Sequence, residues 1–277
     1  ASVSIGDLGF IHGATVTEQI RTFAGQPFLL NEHLSRFKKG LELLEIQLEA
    51  WDQLPDILSE TCQRYLISTG NAECGIGIFA TPGTTDRFGN DSQGPTLCIY
   101  CYEIPWAQFQ PGYETGVDLS LSQVRDTDKQ CWPKNVKVRN RLHYYLADLE
   151  SKKKQTIALL TDGLGNFRDT STAAPFYVFN SKEITVSPGE EILDSVSLQF
   201  VLELCHELGF SLVRREINRS DLGQLKSMAL TSTLFCLYDV NSIEGFKLHS
   251  SSDEFRAIEN LWNTKTGTKI RSNCPGD

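Results

Sequence analysis

The sequence predicts a mixed α+β protein built as two domains. Strand-like runs cluster between single helical stretches, and the apolar pattern breaks at Ile104–Gly112 around two prolines. The 277 residues suffice for two domains or one large one. The break places an N-terminal domain at 1–106, an interdomain linker at 107–115 and a larger C-terminal domain at 116–277.

The elements follow from local pattern. ATVTEQIRTFAGQPFLL (14–30) gives two extended runs about Ala24-Gly25-Gln26-Pro27, which predicts a hairpin. Asn31 is placed to cap a helix on which Leu34, Phe37, Leu41 and Leu44 recur at steps of three and four. A second helix over 52–68 carries Leu54, Ile57, Leu58, Tyr65 and Leu66 and stops near Gly70, and strands follow near 75–81 and 96–104. Beyond the break, VDLSLSQV alternates as a strand and RLHYYLADLESKKK reads as a helix closed by Lys152, Lys153 and Lys154. Strands are predicted near 156–161, 175–180, 211–217 and 229–238, with helices at 195–208 and 252–263.

Composition narrows the function. The chain is 40% hydrophobic and 22% charged, ordinary for a protein with a substantial core, and no apolar run approaches a membrane span. The first residues, ASVSIGDLGF, lack the basic and apolar regions of a signal peptide, so the cytoplasm is the default location. A formal charge of −9 argues against a nucleic-acid partner, which requires a basic face. Cys98-Ile-Tyr-Cys101 matches CxxC but lies in a strand-like run, where i and i+3 face opposite ways, and nothing else resembles a metal site.

Against that acidic background, Lys134, Lys137, Arg139 and Arg141 fall within eight residues of WPKNVKVRNRLHYYLADLE (132–150). If 135–139 is extended, Lys137 and Arg139 share one face while Val136 and Val138 pack on the other. A lysine so crowded by cations has a lowered pKa and becomes a nucleophile toward carbonyls. A solvated strand edge guarded by lysines explains the same residues without chemistry.

Five blocks carry a resemblance: 6–37, NVKVRNRLHYYLA (135–147), ALLTDGLGNFRDTSTAAPFYVF (158–179), ILDSVSLQFVLELCHELG (192–209) and LTSTLF (230–235). In order and spacing they resemble the class IV aminotransferases. These are the fold-type IV pyridoxal-phosphate enzymes: branched-chain and D-amino-acid aminotransferases, and aminodeoxychorismate lyase. The resemblance implies a smaller N-terminal α/β domain and a larger, β-barrel-like C-terminal domain with helices. It also implies pyridoxal 5′-phosphate as cofactor, an amino acid and a keto acid as substrates, and a homodimer. Lys137, in Val-Lys-Val-Arg-Asn, occupies the place of the Schiff-base lysine and proton shuttle. Arg36 matches the arginine on the cofactor phosphate, although helical phase sets it off the Leu34/Phe37/Leu41 stripe as a solvated residue. Val196 and Ser197 stand where a helix N-terminus offers amides to that phosphate, and Thr233 where a hydroxyl does. His12, Arg141 and Ser232 fall on the substrate pocket, Arg141 ranking above Arg139 because it aligns within an Asn-Arg-Leu variant.

Two departures stand out. The usual glutamate facing the pyridine nitrogen is Asp169 here, one methylene shorter, and the asparagine that follows in the family pattern is Ala174. These departures motivate a reading as a non-catalytic homologue with a degraded cofactor site. The activity implied first is transamination of a small amino acid, with aminodeoxychorismate lyase as the alternative. Gln19 stands where lyases tend to carry threonine, which favours transamination.

Overall fold

The computed structural model describes residues 2–85, 94–249 and 252–271, and the chain divides into two compact units. The first comprises residues 1–104 with 136–141, and the second 105–135 with 142–277. The lysine segment, which the sequence assigns to the C-terminal domain, thus packs with the N-terminal unit.

In the first unit a short helix α1 (Leu8–Ile11) precedes β1 (Val16–Phe23) and β2 (Gln26–Pro27). The predicted hairpin is present: Phe23 pairs with Gln26, and Ala24 and Gly25 both take positive φ, as a two-residue turn requires. Helices α2 (Leu30–Leu43) and α3 (Leu54–Thr69) and strands β3 (Gly75–Thr81) and β4 (Thr96–Tyr102) complete an antiparallel sheet in the order β2-β1-β3-β4. Asn31 does not cap α2. Phe28 still bonds back to Arg21, so the chain turns at Leu29 (φ 51°) and Asn31 falls inside the first turn. Alternation along β1 and β3 sends Val16, Ile20, Ile76 and Ile78 into a core with Leu34, Phe37, Leu41, Leu54 and Leu58. Thr17, Phe79, Gly77 and Tyr100 occupy the opposite face, since Thr17 pairs with Phe79 and Gly77 with Tyr100.

Gly77 is required there. A Cβ at this position would sit 2.3 Å from Tyr100 Cζ and 2.6 Å from its Oη, closer than van der Waals contact permits. Gly77→Ala should cost roughly 1–3 kcal/mol through overpacking, read as a fall in the urea midpoint at unchanged m-value.

The second unit contains α4 (Trp106–Thr115), β5 (Val117–Leu121), α5 (Leu142–Lys154), β6 (Ile157–Thr161), β7 (Phe167–Thr170), β8 (Ala174–Val178) and β9 (Glu183–Val186). It continues with α6 (Val196–Glu207), β10 (Ser211–Arg214), β11 (Ser227–Ser232), β12 (Cys236–Ile243), β13 (Phe246–Lys247) and α7 (Asp253–Thr266). The strands run β10-β9-β8-β11-β12-β5-β6-β7, with β13 on β12. β7 ends that order, yet only residues 171–173 join it to β8 near the other end, so the sheet must curl into a barrel-like form.

Three expectations need correction. The stretch 107–115 expected as a linker is helical despite Pro111, because Tyr113 anchors it: its hydroxyl donates to Phe235 O at 2.8 Å and its ring packs on Tyr238. The single strand expected at 229–238 is two, β11 and β12, paired at Ser232 and Cys236 across Thr233-Leu234-Phe235. Strands β7 and β9 are additional; four residues each leave too few positions for an alternation to register. Among the described residues no helix is long and apolar enough to cross a membrane.

Candidate active site

In the first unit the chemistry gathers where residues 136–141 lie along β1. Thr17 N donates to Lys137 O at 3.0 Å, Arg139 N donates to Thr15 O at 2.9 Å, and Val138 bridges Val16. Val136 is buried in the core, which fixes the backbone on either side of a half-buried Lys137. Loss of solvation, reinforced by the charges of Arg36, Arg141 and Arg139, pushes the Lys137 amine down to about 7 against the pull of Glu18. The expected effect of crowding is therefore present, with desolvation the larger cause.

Arg36 is not solvated. It is 4% exposed and makes a forked ion pair with the fully buried Glu18, Nε to Oε1 at 2.6 Å and Nη2 to Oε2 at 2.7 Å. His33 Nδ1 lies 2.9 Å from the same carboxylate. Burial acts to raise Glu18, but Arg36 and His33 outweigh it and hold the carboxyl well below the usual range. Burial in turn lowers the His33 pKa, which disfavours the charged imidazole. Helical phase misplaces Arg36 because it ignores a charged partner; the acid inside the apolar run of β1, opposite His33 and Arg36 on α2, is the signal that would have found it. Glu18→Ala removes the forked carboxylate partner of the buried Arg36 guanidinium, and should destabilise the protein by roughly 3–5 kcal/mol in urea denaturation.

His12 closes α1 and is exposed, and Arg141 is half-buried with its charge bearing on Lys137. Lys134, counted with the cation cluster, lies in the second unit. There Asp126 neutralises it at 2.7 Å, with His143 at 3.5 Å on the other carboxylate oxygen.

In the second unit β7 alternates Phe167 and Asp169 to one face and Arg168 to the other, where Glu216 and Asp162 take the guanidinium. Asp169 is 6% exposed. Its Oδ2 accepts from Leu193 N at 3.0 Å, while Oδ1 is buried without any hydrogen-bond partner. Burial pushes its carboxyl up to about 7, with Asp126 adding to the rise and the Leu193 amide, Lys134 and Arg168 opposing it. Helix α6 starts at the cap Ser195, whose Oγ accepts from Leu198 N. The amides of Val196 and Ser197 precede the first intrahelical bonds and so remain available at the positive end of the dipole. Ser197 Oγ lies 3.2 Å from Thr233 Oγ1, which brings these two predicted residues together, with Ser232 next to them at the end of β11.

Taken unit by unit, these groups are of the kind that the parts of a phosphorylated pyridine aldehyde would need. A buried, orphaned carboxylate oxygen asks for a cationic N–H donor, a helix N-terminus with two hydroxyls asks for an anion, and a depressed amine asks for a carbonyl. Among the described residues no group of His, Cys, Asp and Glu is placed to hold a metal.

Comparison with known proteins agrees. D-alanine aminotransferase of Bacillus licheniformis is 24% identical over 259 residues, covering 91% of this chain and 86% of that protein. Aminodeoxychorismate lyase of Bacillus subtilis (strain 168) is 24% identical over 287 residues, covering 98% and 95%. The solved branched-chain amino acid aminotransferase of Escherichia coli superposes with a TM-score of 0.85 at 17% identity, covering 99% of this chain and 93% of that one. A hypothetical aminotransferase from Mycobacterium tuberculosis, solved with alpha-ketoglutarate and PMP bound, superposes with a TM-score of 0.83 at 16% identity, covering 96% and 94%. The model of amino-transferase class IV matches residues 15–243, from the first strand of the N-terminal sheet to the end of β12. That span takes in the lysine, the buried acid and the helix N-terminus alike, and the chain belongs to amino-transferase class IV.

Proposed function

We propose that the protein transaminates a small amino acid, of the branched-chain or D-amino-acid kind, with a keto acid as acceptor and pyridoxal 5′-phosphate as cofactor. The observation that carries this reading is the Lys137 amine, held near neutrality at about 7, where an ordinary lysine is almost wholly protonated. When bound, the cofactor supplies a sink for the electrons left on the substrate α-carbon. Lys137 Nζ holds the cofactor aldehyde and serves as the base that takes the α-proton and the acid that returns it. Asp169 Oδ1 accepts from the ring nitrogen and keeps a proton there. Arg36, the amides of Val196 and Ser197, and the Thr233 hydroxyl hold the phosphate, and His12, Arg141 and Ser232 line the substrate pocket. A buried Asp169 with one orphaned oxygen, Oδ1, is what an intact cofactor site requires, so the shorter acid does not support a non-catalytic protein.

The test is incubation of the cofactor-loaded protein with both enantiomers of a series of small amino acids and a keto acid, reading the new keto acid formed. The lyase of Bacillus subtilis matches more of the chain than the D-alanine enzyme does, so a second reading is cleavage of aminodeoxychorismate. Pyruvate release from aminodeoxychorismate with no keto acid added would establish that activity in place of transamination.

The homodimer belongs to the same proposal. On α5, Leu142, Tyr145, Leu146 and Leu149 recur at helical spacing and are 65%, 61%, 42% and 44% exposed, an apolar stripe that a second copy can cover. Leu146→Glu should shift sedimentation from dimer toward monomer, with at least a severalfold rise in the dimer dissociation constant.

A further inference from the structure

Three well-packed guanidinium groups are each answered by carboxylates: Arg36 by Glu18, Arg168 by Glu216 and Asp162, and Arg271 by Glu259 and Asp239. Arg139 is different. Among the described residues no carboxylate pairs with it, and its contacts are neutral. Nη2 donates to Tyr100 Oη at 3.0 Å, Nε donates to Thr17 Oγ1 at 3.3 Å, and the guanidinium carbon stands 5.0 Å from the Phe79 ring centroid. Thr17, Phe79 and Tyr100 come from three adjacent strands on the sheet face opposite α2, so the guanidinium is oriented by rigid elements while its charge is left uncancelled.

A second feature lies on that face. Tyr102, which alternates with Tyr100 along β4, packs at 5.8 Å from it, and its hydroxyl is buried without a hydrogen-bond partner. The glycines of β3 make room for both rings: a Cβ on Gly75 would meet Tyr102, and one on Gly77 would meet Tyr100. A fixed cation, two residues from Lys137 in the chain, and a buried donor with no acceptor thus belong to one sheet face. Both ask for an anionic oxygen.

Resting on the reading of Lys137 as the reactive amine, we infer that Arg139, oriented by Thr17 and Tyr100, binds a carboxylate of the substrate and sets which acids the enzyme accepts.

The carboxylate is either the one beside the reacting carbon or one at the far end of a dicarboxylic acid. Titration of the cofactor-loaded protein with two unreactive probes, butyrate and glutarate, followed by calorimetry, separates them. Arg139→Gln should weaken binding about tenfold or more, as expected for a lost charge-assisted hydrogen bond. A loss with both probes assigns Arg139 to the carboxylate beside the reacting carbon, and a loss with glutarate alone assigns it to a distal one. Arg139→Lys should recover only part of the affinity, because an ammonium lacks the planar fork. Tyr100→Phe removes one orienting contact and keeps the charge; it should weaken binding severalfold, and it carries the test if Arg139→Gln fails to fold. Wild-type affinity retained by Arg139→Gln and Tyr100→Phe, or no binding of either probe by the wild type, overturns the inference. Because neither probe reacts, a wild-type protein that binds them but transaminates nothing would sink the proposed activity and leave the role of Arg139 standing.

Discussion

Replacing Lys137 by alanine will lower turnover by at least about 10²–10⁴-fold, the range that general acid–base catalysis contributes. Borohydride reduction of the cofactor-loaded wild type will label Lys137, and the variant will lose that label. Both roles of the residue need a neutral amine, which an unperturbed lysine near pH 10.4 supplies only in trace at pH 7. In this fold the amine is brought down to about 7 by lost solvation and by the charges of Arg36, Arg141 and Arg139. Cofactor capture by the free protein should therefore rise with pH through a midpoint about 7, level off above it, and not continue climbing toward 10. Lys137→Arg, which keeps the cation and cannot lose its proton, should be as inactive as Lys137→Ala. A label on another lysine would sink the assignment, whatever the turnover of the variants.

How far the sequence carried these conclusions differs from element to element. The hairpin at Ala24-Gly25, the stop at Gly70 and the apolar stripe of α2 were legible because each depends on local chemistry: a turn, a cap, a period. The helix α4 was hidden because Tyr113 and Phe109 secure it against the far-off residues Phe235 and Tyr238, contacts no local window contains. β7 carries Asp169 but is four residues of mixed polarity, so only the resemblance marked it. The cation cluster was visible as charge, yet its division was not. Lys134 is neutralised by Asp126, Arg139 is held by neutral oxygens, and the Arg36 that bears most strongly on Lys137 among the cations comes from α2, far earlier in the chain. Glu18 escaped notice altogether, since an acid in a strand reads as solvent-facing until its partners His33 and Arg36 are found behind it.

Asp169→Asn should act in opposite directions on stability and on turnover. In the cofactor-free protein burial holds the Asp169 carboxyl at about 7, above its ordinary value of 3.8. A carboxyl raised on folding favours the folded state fully below its unfolded pKa, and that contribution is lost as pH rises through the folded one. The wild type should accordingly lose up to about 4 kcal/mol from this group between pH 4 and pH 8, the equivalent of some three pKa units. The asparagine variant has no proton to lose, so its stability relative to wild type should climb over the same window, measured as urea midpoints across pH. With cofactor bound the proposed role reverses the requirement: the orphaned oxygen, Oδ1, would hold a proton on the ring nitrogen. Removing that fixed charge from a buried site should lower kcat about 10²–10³-fold, as loss of a preorganised electrostatic partner does elsewhere. A structural acid would show neither pattern: its replacement would destabilise at every pH and leave the loaded enzyme working. On the proposed role, a buried Oδ1 without a partner is what the free protein tolerates so that the acid is in place when the cofactor arrives.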